Sequence, residues 1–291
     1  MRALIIGHRG MLAQDLNREL LSRGWEIVGV DLPEFDLTDP VSVAQIATGA
    51  FGPIRWVFNC AAYTTVDRAE SEPNAAMNVN ALGPGYLAAA CQMAGIRLIH
   101  ISTDFVFDGV GAIPYTEEDV VNPTSVYGRS KREGELGVLS ALPGAIIVRT
   151  AWLYGPLGKS FPRTMIQAWL SGKSLRVVAD QTGCPTYTAD LAKVLVDLAE
   201  REAPGGIWHA SGEEVMTWYD FARVAIEQYA QEFGLAQKMD LSPVSTSEYP
   251  TPAKRPAYSV LSGAKRAGFG LVPMRPVARA VREFVARMGP L

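Results

Sequence analysis

Tyr127 and Lys131 stand four residues apart in SVYGRSKREGE, a spacing that puts both side chains on one face of a helix. An ammonium beside a phenol favours its ionisation, so the pair has the makings of a general acid for use near neutral pH. Upstream, STDFVFDG sets Ser102, Thr103 and Asp104 just after an apolar, β-rich run, where a hydroxyl is expected to bond a substrate oxygen and assist the tyrosine. GHRGMLA places Gly7, Gly10 and Ala13 in a GxxGxxA turn, which brings backbone N–H groups and a helix N-terminus close to a pyrophosphate. Asp31 ends the next apolar run, where a carboxylate bonds a ribose 2'-hydroxyl and repels a 2'-phosphate. Arg9, inside the glycine turn, is placed to pair with such a phosphate instead, so the choice between NADH and NADPH stays open. One chemistry unites these groups: hydride passes from a nicotinamide to a carbonyl carbon, Tyr127 gives the oxygen its proton, and Lys131 holds the cofactor ribose. Each string also has a plainer reading, as a tight turn, a solvated helix face or a cap made by Ser, Thr and Asp.

The elements that must carry these residues alternate in type. Ala3 to Ile6, Glu26 to Val30, Trp56 to Asn59, Arg97 to Ile101 and Ala145 to Arg149 read as strands, with helical stretches between them. Such alternation predicts an α/β fold, a doubly wound parallel sheet of Rossmann type whose ligands bind beyond the carboxyl ends of the strands. The chemistry-bearing strings fall in those post-strand loops. After about residue 150 the alternation weakens, and residues 151–291 read as mainly a smaller α/β substrate-binding domain beside a dinucleotide-binding domain of residues 1–150. Helices are expected at Asp190 to Arg201, Trp218 to Phe233 and Val277 to Met288, with some elements rejoining the first sheet.

Bulk properties exclude other classes. With 291 residues, 48% of them hydrophobic, the chain can bury a large core. No apolar run approaches the roughly 18 residues a membrane span needs, and the N-terminus lacks the pattern of a signal peptide, so a cytoplasmic protein without a membrane partner is expected. A formal charge of -3 provides no basic field for nucleic acid. Cys60, Cys91 and Cys184 are odd in number and scattered, fitting neither a disulfide framework nor a zinc site.

NCAAYTTVDRAESEP, STDFVFDG, YGRSKREGE, RTAWLYG, VADQTGCPT and TPAKRPAYSVL, taken together, closely resemble the dTDP-4-dehydrorhamnose reductase family of the extended short-chain dehydrogenase/reductase superfamily. The likeness runs nearly end to end. It implies reduction of the C4 ketone of dTDP-4-dehydro-6-deoxy-L-mannose with NADPH or NADH, a sugar nucleotide as the partner molecule, and a homodimer. It further implies that Thr103, Tyr127 and Lys131 are the catalytic set and that Asp104 and Trp152 hold the sugar. Gly10, Met11 and Leu12 would meet the pyrophosphate, Asp31 the adenosine ribose, Asp36 and Leu37 the adenine, and Ala61, Ala62, Tyr63 and Ile101 the rest of the dinucleotide. Arg255, in the basic AKRP segment, would clamp the substrate diphosphate.

The chain departs from the family pattern in three places. Ala13 replaces the usual third glycine, a small change that should leave cofactor binding intact. Tyr258 and Ser259 stand where Asn-Ser is usual, which weakens any nucleotide contact at Tyr258. Some members bind magnesium at a dimer interface through acidic residues; Asp15 and Asp190 match two of them, but ARMGPL offers no third acid, so no metal is expected. Related dehydratases carry an acid directly after the Thr-Asp pair, where this chain has Phe105, so elimination of water is disfavoured. The alternatives are a sugar-nucleotide epimerase or other 4-ketoreductase of the superfamily, and a non-catalytic NADP-binding regulatory subunit like that of methionine adenosyltransferase.

Overall fold

All 291 residues are described in a computed structural model of the chain. Strands β1 (Arg2–Ile6), β2 (Glu26–Val30), β3 (Trp56–Asn59), β4 (Arg97–Thr103) and β5 (Ile146–Thr150) form one parallel sheet, joined at its edge by the strand Gly206–His209. The order across the sheet is β2, β1, β3, β4, β5 and Gly206–His209, so the direction of winding reverses between β1 and β3. A crevice at that reversal is where a doubly wound sheet accepts a ligand.

Both faces of the sheet are covered, which is why its central strands carry apolar side chains on both faces instead of alternating with exposed polar ones. Ala3, Ile5, Trp56, Phe58 and Val148 point into one layer with Leu12 and Leu16 of the helix Met11–Ser22 and Leu191 and Leu195 of the helix Thr188–Glu200. Leu4, Ile6, Val57, Leu98 and Ile147 point the other way, against Val43, Leu87 and Val138 from helices Pro40–Ala47, Gly83–Ala94 and Val126–Ala141. The period-2 geometry of a strand thus builds two cores from one set of residues.

A third core lies beyond the carboxyl ends of the strands. Helices Phe161–Leu170, Trp218–Phe233 and Val277–Met288 bury Ile166, Trp169, Phe221, Ile226, Phe284 and Val285 among themselves. Short strand pairs brace this layer, Leu175–Val178 with Leu241–Val244 and Leu153–Tyr154 with Thr186–Tyr187. The helix Thr188–Glu200 and the strand Gly206–His209 return to the first sheet, and Leu271 and Met274 return to its core again before the last helix, so the chain passes repeatedly between the two layers. No helix is long and apolar enough to cross a membrane.

Candidate active site

The Gly7 and Gly10 turn follows β1 directly. Gly7 adopts φ +75°, and a Cβ there would sit 2.8 Å from the Ala61 nitrogen; one at Gly10 would sit 3.0 Å from the Gly7 carbonyl. Glycine is therefore required for the backbone to pass this close to the segment after β3. Gly10 is also the N-cap of the helix Met11–Ser22 and has no side chain to cap it, so the first-turn N–H groups face the crevice, as an anionic ligand requires.

From this turn a continuous trench runs across the ends of the strands. Its first part is lined by Gly7, Gly10, Asp31, Asp36, Leu37 and Ala61. A central cavity of about 490 Å³ follows, lined by Met11, Leu12, Ala62, Ile101, Thr103, Asp104, Tyr127, Lys131 and Trp152 among others. A further cavity of about 280 Å³ extends it past Trp152, Gln181 and Trp218 to Arg255. The first two parts share Gly10, Ala61 and Ala62, and the last two share Asp104 and Trp152, so they are one channel.

Not every expected residue faces it. The Arg9 guanidinium bonds the Leu32 carbonyl at 2.8 Å and Glu34, while its backbone N–H donates to Asp31 Oδ2 at 3.0 Å. The Tyr63 hydroxyl donates to Glu72 at 2.8 Å, and its backbone is pinned by Asn80, so neither Arg9 nor Tyr63 lines the trench. β4 continues through Thr103 instead of ending at Ile101, so Ser102 lies within the strand, and its hydroxyl donates to Glu135 at 2.6 Å. That leaves Thr103 as the hydroxyl of the segment that lines the cavity. It donates to Asp104 Oδ1 at 2.9 Å, and Asp104 Oδ2 is buried without a partner beside the cavity.

Tyr127 and Lys131 lie on the helix Val126–Ala141, started by Ser125, whose side chain accepts from Gly128 N–H. The expectation that the ammonium favours phenolate is corrected by the geometry. Lys131 Nζ turns to the Ile101 carbonyl at 2.6 Å and to His100 Nε2 at 3.4 Å. Burial pushes the Tyr127 phenol up to about 12, with Thr103 pulling it down and Asp104 adding to the rise. Burial likewise lowers Lys131 to about 8 and raises Asp104 to about 6. The phenol is thus held protonated at neutral pH, the state a proton donor needs.

The RmlD substrate binding domain family matches residues 1–289. This chain belongs to that family. Among relatives in it, the dTDP-4-dehydrorhamnose reductase of Aggregatibacter actinomycetemcomitans is 40% identical over 94% of each chain. A probable dTDP-4,6-dihydroxy-2-methyloxan-3-one 4-ketoreductase of Streptomyces antibioticus is 41% identical over 97% of this chain and 94% of its own. In three dimensions the dTDP-4-dehydrorhamnose reductase of Bacillus anthracis, solved with NADP, superposes with a TM-score of 0.91 at 34% identity, covering 98% of each chain.

The RmlD-family site also depends on residues that motif reading passes over. Glu135 pairs with Arg149 through two contacts of 2.8 Å, all of it buried, and also accepts from Arg132. Asn80 ties the Tyr63 backbone to Ser130 at 3.0 Å, linking the loop after β3 to the helix of Tyr127. Trp152, at φ 48°, stacks on Trp218. For Glu135 the signal is legible, one helical turn beyond Lys131; for Asn80 and Trp218 only the fold brings them in.

The acidic pair raised by the family's magnesium does not fit a cation. Asp15 is bonded by Arg287, Arg18 and Thr188, and Asp190 by Arg275 at 2.7 Å, so arginines already supply the counter-charge. No group of three or more His, Cys, Asp or Glu side chains is placed to hold a metal.

Proposed function

We propose that this chain reduces the C4 ketone of dTDP-4-dehydro-6-deoxy-L-mannose with NADPH or NADH to give dTDP-L-rhamnose. The observation that carries the reading is the single trench in which a glycine cradle, a protonated phenol and a tryptophan-walled cavity follow one another. The cradle fits a dinucleotide because Gly10 leaves the N-terminus of the helix Met11–Ser22 uncapped by any side chain, its first-turn N–H groups open to a pyrophosphate.

A bound reduced nicotinamide supplies hydride to the carbonyl carbon. Tyr127 gives its hydroxyl proton to the carbonyl oxygen, so ketone becomes alcohol, and the proton returns from water through the open trench. Thr103, once its hydroxyl turns from Asp104 Oδ1, donates to the same oxygen and shares the charge that builds on it. Lys131 orients the cofactor ribose, Asp104 accepts from sugar hydroxyls through its unpartnered Oδ2, and Trp152 supplies an apolar wall for the ring. Gly7, Gly10, Met11 and Leu12 serve the pyrophosphate, Asp31 the adenosine ribose, Asp36 and Leu37 the adenine, and Ala61, Ala62 and Ile101 the remaining dinucleotide. Arg255, at the far end, meets the substrate diphosphate after releasing Asp67, which it bonds at 2.8 Å. Phe105, whose ring lies edge-on to Tyr127, leaves no acid at the position used for elimination. The resemblance alone supports the further view of a cytoplasmic homodimer, which sedimentation of the pure protein tests.

The test is direct. The purified protein is given the dTDP-4-keto sugar with NADPH or NADH, cofactor absorbance is followed, and the sugar is identified. One equivalent of cofactor consumed per equivalent of dTDP-L-rhamnose is expected; turnover without net consumption would point to an epimerase.

A further inference from the structure

Behind the trench, a chain of polar contacts leads from the backbone to Lys131. Asn59, the last residue of β3, is fully buried, and its Oδ1 accepts from the Ala61 N–H at 3.2 Å. That contact fixes the amide orientation: with Oδ1 committed to a backbone donor, the group turned to His100 Nδ1 at 3.0 Å is Nδ2, which donates. His100, on β4 and fully buried, must therefore accept at Nδ1. A neutral imidazole with an accepting Nδ1 carries its proton on Nε2. Nε2 faces Lys131 Nζ at 3.4 Å, longer than a good hydrogen bond, as expected when two donors meet.

The other groups around Lys131 do not supply this effect. The Ile101 carbonyl accepts from Nζ at 2.6 Å and favours the ammonium. Glu135 also favours it, from one turn further along the same helix, but is committed to Ser102, Arg132 and Arg149. Cys60, after β3, is held protonated by burial and brings no charge; Tyr127, on the lysine's own helix, is likewise neutral. His100 is the one neighbour that presents an N–H to the amine.

We propose that Asn59 and His100 are positioning residues that present a fixed imidazole N–H to Lys131 and so oppose its protonation, setting the pH at which this lysine changes charge. The consequence for catalysis rests on the reading of Lys131 as the ribose-holding group. Donors hydrogen-bond an amine lone pair but repel an ammonium, so the relay disfavours the charged form. Burial of the imidazole, which holds His100 well below its usual range, keeps it neutral over the working pH range.

The experiment follows Lys131 itself by NMR of protein carrying 13Cε-labelled lysine, its resonance assigned by loss in Lys131→Arg. The parent lysine should titrate near 8. In Asn59→Asp the carboxylate still accepts from Ala61 but now also accepts from His100 Nδ1, so Nε2 becomes an acceptor for the ammonium. In His100→Phe the opposing N–H is simply gone. Both should move the Lys131 titration upward by roughly one pH unit, the scale of one hydrogen bond gained or lost by one protonation state. Circular dichroism reports which variants fold, and if Asn59→Asp does not, His100→Phe carries the test. Because the carboxylate of Asn59→Asp also raises the lysine by charge alone, His100→Phe decides: a Lys131 titration unmoved or lowered in that folded variant overturns the proposal. NADPH dissociation constants across the same pH range separate the two claims: if the NMR titration moves and the binding profile does not follow, the relay stands and the ribose reading falls.

Discussion

Trp152 lies flat against Trp218, ring centroids 3.5 Å apart and planes 7° from parallel. The contact accounts for a backbone otherwise costly for a bulky residue, because Trp152 sits at φ 48° and is trapped between Trp218 and Gly183, where a Cβ would come within 2.4 Å of the indole. The indole is thus a rigid wall of the substrate cavity. Trp152→Ala should raise KM for the dTDP-keto sugar by roughly tenfold or more while changing the NADPH dissociation constant little. Steady-state kinetics with a parallel cofactor titration check this.

Gly7→Ala should weaken cofactor binding and destabilise the fold together. The residue would have to hold φ +75° and place its Cβ 2.8 Å from the Ala61 nitrogen. The left-handed conformation alone costs roughly 1–2 kcal/mol. A lower melting temperature with a higher NADPH dissociation constant is the expected pair of results.

Glu135 and Arg149 form a fully buried, bidentate pair that fixes the helix of Tyr127 against β5. Glu135→Gln leaves Arg149 buried without its counter-charge and should cost about 3–5 kcal/mol in urea unfolding. Burial pushes the Glu135 carboxyl up, but Arg149, Ser102 and Arg132 together outweigh it and hold it below its ordinary value of 4.5. Its stabilising effect is therefore present above pH 4.5 and lost as pH falls through the lower folded value.

Lys131 carries the opposite sign. Its folded value is lowered from 10.5 to about 8, so between these the unfolded chain binds more protons than the folded one. Stability should rise with pH across that window, and Lys131→Met should remove this part of the slope. Denaturant unfolding at a series of pH values between 8 and 10.5 measures both.

Much of the layout is legible in the residues. The expected strands at Glu26–Val30 and Trp56–Asn59 and the helices at Trp218–Phe233 and Val277–Met288 match the structure to the residue, because each has a strong apolar period and a clear stop. β4 runs two residues further than its apolar run because Ser102 and Thr103 pair with β5 through their backbones, which a side-chain pattern does not reveal. Tyr127, Lys131, Thr103 and Trp152 do converge on one cavity. The state of the phenol was beyond the sequence, since a four-residue spacing says that two side chains share a helix face but not that the lysine turns away to Ile101. Arg9 and Tyr63 show the same limit: their places in the chain are near the trench, and their partners Glu34 and Glu72 draw them from it.

The central claim is that Tyr127 delivers the proton to the reduced ketone, and Tyr127→Phe tests it most directly, with turnover and NADPH affinity measured on the same preparation. Removing only the hydroxyl should lower kcat by roughly 10²–10⁴-fold and leave the NADPH dissociation constant and melting temperature close to those of the parent. A folded variant that binds NADPH and still turns over within a few-fold of the parent would contradict the account.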